Sequence, residues 1–296
     1  MKRDPSPDTA ISTLDDDRIE AHPFLKWAGG KAAIARRIEE LLPHDARARV
    51  YREPFLGGGA MFFHLQPRQA FLSDTLAPLI SAYKVVQRNV EALIRRLEEL
   101  RSSHSIDQFY EVRDRFNQER EASAVERAAW LIYLNKTCYN GLYRTNKAGE
   151  FNVPAGRFTN PGIVEPGRIR NAAAVLARAE LSSGSYDHLR DVAAPGDLVY
   201  FDPPYVPTSK TASFSSYAEG AFTEADQAHL AALFRELDAR GCLLALSNSD
   251  TPLVRELYAG FDLSPVIAPR AISAKPSTRG EVSELLVRNV QRYPAR

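Results

Sequence analysis

The tetrapeptide Asp202-Pro203-Pro204-Tyr205 combines residue types that could hold a planar amine. Its two prolines fix two φ angles and have no N–H donor, so the segment is stiff and presents bare carbonyl oxygens. The Asp202 carboxylate and a neighbouring carbonyl provide two acceptors for one NH₂ group, and the Tyr205 ring can stack on a planar base. This set fits an exocyclic amine whose nitrogen attacks an electrophile. The alternative is a proline turn with a surface aspartate and a tyrosine that only packs.

A glycine-rich loop, Glu53-Pro54-Phe55-Leu56-Gly57-Gly58-Gly59, follows a short predicted strand. Glycines let a backbone approach a ligand closely. The dinucleotide pattern G-x-G-x-x-G fails here, because the sixth position counted from Gly57 is Phe62, so NAD binding is disfavoured. A shorter glycine loop suits a nucleoside with an amino-acid tail. Asp74, at the end of the next predicted strand, is placed to accept hydrogen bonds from ribose hydroxyls.

A third stretch, Trp27-Ala28-Gly29-Gly30-Lys31, resembles part of a phosphate-binding loop. A P-loop would need Gly where Leu25 stands and Ser or Thr where Ala32 stands. Because both positions fail, ATP hydrolysis is disfavoured. Lys31 could still pair with a carboxylate of a ligand.

Hydrophobic patterns predict the elements that must position these stretches. Continuous apolar runs predict buried strands, and amphipathic runs predict helices. The order of strand, glycine loop, helix, strand and acid is the front half of a nucleotide-binding α/β unit. The predicted strands span residues 50–53, 70–73, 198–201, 242–246 and 285–290, and the predicted core helices span residues 32–42, 60–65 and 223–240.

The sequence changes character between the two halves of this α/β pattern. Residues 79–133 show apolar spacings of three and four, which predict helices. Residues 140–157 contain short alternating runs around a Lys-Ala-Gly turn, which predict a β-hairpin. We therefore divide the chain into a disordered tail at 1–21, an α/β core at 22–78 and 171–296, and an insertion at 79–170.

The composition is that of an ordinary globular protein. Apolar side chains make up 44% and charged side chains 25% of the 296 residues, which excludes wholesale disorder. The formal net charge of +1 argues against a protein that coats nucleic acid indiscriminately. The charge is segregated, because Lys and Arg outnumber Asp and Glu in residues 136–170 and 270–296, whereas acids prevail in residues 1–21.

Cysteine usage and hydropathy limit the class of protein further. Cys138 and Cys242 are too few for a disulfide framework or for a zinc site of about four ligands. We therefore expect no metal and a cytoplasmic setting. No run approaches the roughly 18 consecutive apolar residues of a membrane span, so we expect no membrane association.

The three stretches, in this order, resemble the Dam-like (D12 class) site-specific DNA adenine-N6 methyltransferases. The resemblance runs from Pro23 to about Val290 and includes the insertion, where Gly149-Glu150-Phe151-Asn152-Val153-Pro154 is similar to the family. It implies a Rossmann-like S-adenosylmethionine-dependent methyltransferase core with an inserted helical and β-hairpin DNA-recognition domain. It also implies double-stranded DNA as the partner and no obligate protein partner.

The resemblance assigns roles residue by residue. The residues implied for S-adenosylmethionine binding are Trp27, Lys31, Phe55, Gly57, Gly59, Asp74 and Asp202. The implied catalytic residues are Asp202, Pro203, Pro204 and Tyr205. In the insertion, Asn140 matches a phosphate contact, Leu142 a wedge into the base stack, Arg144 a reader of guanine and Phe158 an intercalating aromatic. For Arg144, a phosphate contact or a solvated hairpin arginine is an equal alternative.

One departure from the family pattern lies beside Asp74. The family commonly has Asn two places after this acid, where the chain has Leu76, and Pro78 stands two places further. The departure leaves Asp74 intact and concerns only the support around the ribose site.

The function implied is methyl transfer from S-adenosylmethionine to N6 of a flipped adenine in double-stranded DNA. The resemblance suggests a target containing GA, with GATC as a candidate. Methyltransferases that act on RNA or on a protein glutamine also use a Pro-Pro-Tyr segment, but one opened more often by Asn than by Asp. A catalytically inactive DNA-binding protein is the least favoured alternative, because Lys31, Asp74 and Asp202 are all present.

Overall fold

A computed structural model describes residues 18–206, 222–269 and 281–294. Most of the predicted N-terminal tail and part of the basic segment 270–296 lie outside these described residues. Within them, no helix combines the length and apolarity needed to cross a membrane.

One mixed sheet of seven strands forms the centre of the described structure, in the order β3-β2-β1-β4-β5-β7-β6. Strands β1 to β5 are parallel, whereas β7 runs antiparallel to both β5 and β6. The chain moves outward from β1 to β3 and then returns to the other side of β1, so the strand order reverses between β1 and β4. The strands are β1 (Val50–Glu53), β2 (Gln69–Asp74), β3 (Ala179–Ser183), β4 (Leu198–Phe201), β5 (Leu243–Ser249), β6 (Asp262–Pro269) and β7 (Glu281–Arg288).

Helices cover the sheet and build the insertion. The α-helices are α1 (Ala35–Glu39), α2 (Ala60–Leu65), α3 (Ala77–Arg88), α4 (Val90–Ser102), α5 (Ile106–Gln118), α6 (Ala124–Thr137), α7 (Pro166–Leu176), α8 (Leu189–Val192), α9 (Glu224–Arg240) and α10 (Pro252–Leu257). The ends of α9 are set by its sequence: Thr223 and Asp226 form a capping box, and Gly241 adopts φ 94° directly after the helix. The predicted helix over 223–240 is thereby confirmed.

The prediction of a continuous helix over 32–42 is wrong. The structure has a 3₁₀ turn at Lys31–Ala33 and only five α-helical residues in α1, because Ile34 leaves the helical region with φ −123°. After α1 the amides of Leu41 and Leu42 bond three residues back rather than four, which tightens the chain before Pro43. The last predicted strand, 285–290, is shifted: β7 ends at Arg288 and a 3₁₀ turn follows.

The insertion is built around α6, which is buried on almost every side from Ala128 to Thr137. The predicted hairpin is present with minimal pairing, since Thr145 bridges Phe151 and Cys138 bridges Ala155. Helix α3, placed by prediction at the start of the insertion, contacts both β2 and α6. The division of the chain at residue 79 stays a prediction.

Candidate active site

A cavity of about 930 Å³ lies at the carboxyl edge of the sheet, where the strand order reverses. This is the edge at which open α/β sheets bind ligands. The cavity brings together every residue that the sequence implied for cofactor binding and catalysis: Trp27, Lys31, Phe55, Gly57, Gly59, Asp74, Asp202, Pro203, Pro204 and Tyr205. Their roles stay predictions, but their placement in one cavity is a property of the fold.

The glycine loop after β1 is held open by contacts that a side chain would disturb. Gly57 has φ 48°, and a Cβ there would lie 2.8 Å from the indole of Trp27. The Asp74 carboxylate accepts the amide of Gly57 at 3.0 Å, so the end of β2 supports the loop after β1. Burial raises the pKa of Asp74 above its ordinary value, while these backbone donors oppose the shift.

The departure beside Asp74 is accommodated by the backbone. The amide of Leu76 donates to the second Asp74 oxygen at 3.0 Å, which needs no particular side chain at that position. Pro78 stands in the first turn of α3, where the missing N–H breaks no helical bond. The support of Asp74 therefore survives the change from the family's usual Asn.

Lys31 and Asp202 form an ion pair inside the cavity, with Lys31 buried and Asp202 half-buried. The Nζ of Lys31 lies 2.8 Å from Asp202 Oδ1 and donates to the carbonyl of Gly29 at 2.6 Å, and the lysine is only 3% exposed. Burial raises the pKa of Asp202 to about 6, although Lys31 opposes the shift. The sequence predicted that Lys31 could pair with a carboxylate of a ligand. In the structure it pairs with Asp202, a carboxylate of the chain itself.

A second carboxyl group, Glu53, lies on the same edge at the end of β1. It is fully buried and accepts a hydrogen bond from the Tyr51 hydroxyl at 2.9 Å. Burial raises its pKa to about 8, and the negative charge of Asp202 acts in the same direction. Two neighbouring acids with raised pKa values, one cation and an aromatic ring make this edge the candidate functional site.

Tyr186 and Phe222, which form an aromatic wall of the cavity with the predicted Phe55, were missed from sequence. The ring of Phe55 lies 5.1 Å from Tyr186 and 5.9 Å from Phe222, measured between centroids. Tyr186 and Ser185 follow β3, so the strand-end rule would have found them had β3 been predicted. Such a wall can pack against a planar purine.

The tetrapeptide after β4 is held from outside by a buried amide pair. The Gln227 side chain on α9 donates to the carbonyl of Pro204 at 2.8 Å and accepts from Asn248 at 3.0 Å. The Asn248 oxygen accepts the amide of Val206 at 3.2 Å. The carbonyl of Pro204 is thus engaged by the protein.

The residues implied for DNA contact lie on the insertion, outside the cavity lining. Asn140 is exposed in a 3₁₀ turn with φ 55°, and Leu142 is half-buried just after it. Arg144 is exposed, and its Nε donates to Asn152 at 2.8 Å. Phe158 is 40% exposed with the Lys26 ammonium 4.6 Å from its ring centroid.

Trp27 connects this surface to the cavity. Its ring packs on Gly57 on the cavity side and stacks on Tyr143, next to Arg144, at 6.0 Å between centroids. Asn135 on α6 exchanges two hydrogen bonds with the backbone of Lys26, at 2.9 and 2.8 Å. The segment Lys26-Trp27 therefore contacts both the insertion and the cavity.

The cysteines lie outside this chemistry. Cys138 and Cys242 are both fully buried, and burial raises the pKa of each thiol to about 11. Among the described residues, no group of three or more His, Cys, Asp or Glu side chains could hold a metal ion.

The strand order, with β7 reversed beside β5, and the cavity at the switch point define a Rossmann-like methyltransferase fold. The sequence profile of the family described as "D12 class N6 adenine-specific DNA methyltransferase" matches residues 27–272. The chain belongs to this family of adenine-specific DNA methyltransferases.

Three similar proteins are described as methyltransferases or as an adenine methylase. A "Type II methyltransferase M.MjaIII" of Methanocaldococcus jannaschii is 42% identical over 288 residues, covering 92% of this chain and 100% of that protein. A "Type II methyltransferase M1.LlaDCHI" of Lactococcus lactis is 38% identical, with coverage of 94% and 99%. A "DNA adenine methylase" of Escherichia coli is 36% identical over 265 residues, with coverage of 89% and 93%.

Proposed function

We propose that the chain transfers a methyl group from S-adenosylmethionine to N6 of an adenine flipped out of double-stranded DNA. The target contains GA, with GATC as the candidate. The observation that carries the proposal is the convergence of Asp202, Tyr205 and the glycine loop on one cavity at the switch point of the sheet. Relatives described as adenine methylases support it.

The cavity suits an adenosine with a charged tail. The aromatic wall around Phe55 can pack against a purine, and Asp74 at a strand end can accept hydrogen bonds from ribose hydroxyls. Gly57 keeps its φ of 48° and leaves no Cβ between the loop and a ligand. The residues that would hold the cofactor are Trp27, Lys31, Phe55, Gly57, Gly59, Asp74 and Asp202. When bound, S-adenosylmethionine supplies an electrophilic methyl group.

The tetrapeptide would hold the amine and activate it. Asp202 and the carbonyl of Pro203 accept the two N6 hydrogens, since the Pro204 carbonyl is taken by Gln227. Tyr205 stacks on the base, and the two acceptors leave the N6 lone pair free for attack. Asp202 is also an anionic acceptor for the proton that N6 must lose. Adenine in a duplex must first leave the base stack to reach the cavity. Its orientation there and the fixed charges around it supply the acceleration.

The insertion at 79–170 would read the DNA. Asn140 contacts a phosphate, Leu142 and Phe158 enter the base stack, and Arg144 reads guanine. Arg144 lies on the hairpin that Trp27 connects to the cavity, which supports coupling between target recognition and base capture.

The test is incubation with labelled S-adenosylmethionine and either duplex DNA, RNA or protein. Label should enter duplex DNA containing GATC, and long-read sequencing should detect N6-methyladenine at that site. Asp202→Ala should lower transfer by at least about a hundredfold, because general acid–base and electrostatic contributions are of that size.

The matched control is cofactor affinity, which Asp202→Ala should change less than it changes the rate. Near-normal turnover of Asp202→Ala, or label in RNA or protein alone, would overturn the proposal.

A further inference from the structure

Glu284 lines the cavity from a strand that carries none of the predicted site residues. Its carboxylate accepts a hydrogen bond from the hydroxyl of Tyr205, with the two oxygens 2.7 Å apart. Burial raises the pKa of Tyr205 well above its usual value, so the hydroxyl keeps its proton and acts as the donor. The acceptor lies on β7, 79 residues after Tyr205 in the sequence, and only the fold brings the two side chains together.

Strand β7 gives Glu284 a rigid base. It pairs with two strands, so Glu284 faces Ser249 of β5 and Val266 of β6. The hydroxyl of Ser249 donates to the carbonyl of Val206 at 2.6 Å. Two paired residues of β5 and β7, Ser249 and Glu284, therefore bind two consecutive residues: Tyr205, which ends the tetrapeptide, and Val206, which follows it.

Lys31 covers part of the same tyrosine. Its ammonium lies 4.6 Å from the centroid of the Tyr205 ring, close enough for a cation–π attraction. The carboxylate of Glu284 fixes the hydroxyl end of the ring, and the ammonium occupies one face. A planar base that stacks on this ring would have to lie on the face away from Lys31.

We propose that Glu284 is a positioning residue for methyl transfer, which orients Tyr205 so that the face of its ring away from Lys31 stacks on the target adenine. This inference rests on the proposed function, because it requires an adenine beside Tyr205. Glu284 acts through the tyrosine, without contact to the reacting atoms, at a pH well above the pKa of Asp202.

The first test compares Glu284→Gln with Glu284→Leu in single-turnover methylation of a GATC duplex. Gln keeps an oxygen acceptor at the same reach and should stay within about threefold of the wild-type rate. Leu removes the acceptor and should lower the rate by about tenfold, since the lost bond has a charged acceptor. Thermal unfolding of both variants confirms that they are folded before rates are compared.

A double-mutant cycle with Tyr205→Phe tests whether Glu284 acts through the hydroxyl. Phe keeps the ring but removes the donor, so it should be slowed about as much as Glu284→Leu. The double variant should be no slower than the slower single variant. Multiplied losses would show that Glu284 acts by another route and would overturn the proposal.

A second measurement reports on stacking independently of chemistry. In a duplex with 2-aminopurine at the target position, stacking of the extruded base on Tyr205 quenches its fluorescence. The bound duplex should be brighter with Glu284→Leu than with wild type or Glu284→Gln. Equal fluorescence and equal rates for all three would overturn the role of Glu284 alone, whereas no adenine methylation by wild type would overturn the proposed function and this inference with it.

Discussion

Asp202 lies near charges of both signs, so replacing either kind of neighbour should change its pKa. Lys31 is the cation beside it, while Glu284 raises its pKa and Glu53 is the other nearby acid. The tyrosines whose own pKa values respond to Asp202 are Tyr51, Tyr200 and Tyr205. With a pKa of about 6, this carboxyl loses its charge nearer to neutrality than an ordinary aspartate does.

The expected consequence is a fall in single-turnover methyl transfer as the pH drops through about 6. Below that value Asp202 is protonated, so it is a weaker acceptor of the N6 hydrogen bond and cannot take the proton that N6 must lose. Lys31→Met removes the stabilising cation and should move this acidic limb to higher pH, whereas Glu284→Gln removes a repelling charge and should move it to lower pH. Rates measured across the limb in the three proteins check the two directions, and a limb that stays in place in both variants would contradict the assignment to Asp202.

At the scale of elements, the patterns that could be predicted are local and the rest are not. Strand β4 is a continuous apolar run and α9 has a capping box and a terminal glycine, so both were predictable from neighbouring residues. The edge strands β3 and β6 were missed, because β3 is mostly polar and exposed and β6 contains Pro265. The tetrapeptide could be predicted because its four residues are adjacent in the sequence. Glu284 could not, since only the pairing of β7 with β5 brings it to the cavity.

The hydrogen bond from Gln227 on α9 to the Pro204 carbonyl of the tetrapeptide leads to a prediction at this scale. Gln227→Leu leaves the Pro204 carbonyl and the Asn248 amide without their partner, which should cost about 1–3 kcal/mol of unfolding free energy. It should also slow methyl transfer, because the segment loses its anchor. Gln87→Leu is the matched control. The Gln87 side chain donates to two backbone carbonyls, those of Leu176 and Ala179, and lies outside the cavity lining. Denaturant unfolding should show a lower free energy of unfolding in both variants, whereas the single-turnover rate should fall only in Gln227→Leu. An equal fall in rate in both variants would contradict a specific role of Gln227 in holding the tetrapeptide.

For the whole molecule, the net charge of +1 conceals a separation of charge that matters for DNA. Lys147, Arg144 and Arg157 lie exposed on the hairpin side, whereas many other arginines are paired with acids, as Arg96 is with Glu126. If this limited basic surface contacts phosphates, as we propose, binding should be salt-dependent without being indiscriminate. Sequence choice must then come from base contacts.

Arg144 is the side chain whose replacement separates these two contributions. Asn152 holds its Nε at 2.8 Å, which orients the guanidinium while leaving it exposed. If it reads guanine, Arg144→Ala should relax the preference at that base by about 1–3 kcal/mol, seen as N6-methyladenine at new sites in long-read sequencing of DNA from expressing cells. Lys147→Ala, on the same hairpin, is the control and should weaken binding at all sites alike. If Arg144→Ala behaves as Lys147→Ala does, with a shallower salt dependence and an unchanged target, then Arg144 contacts phosphate and another residue of the insertion reads the base.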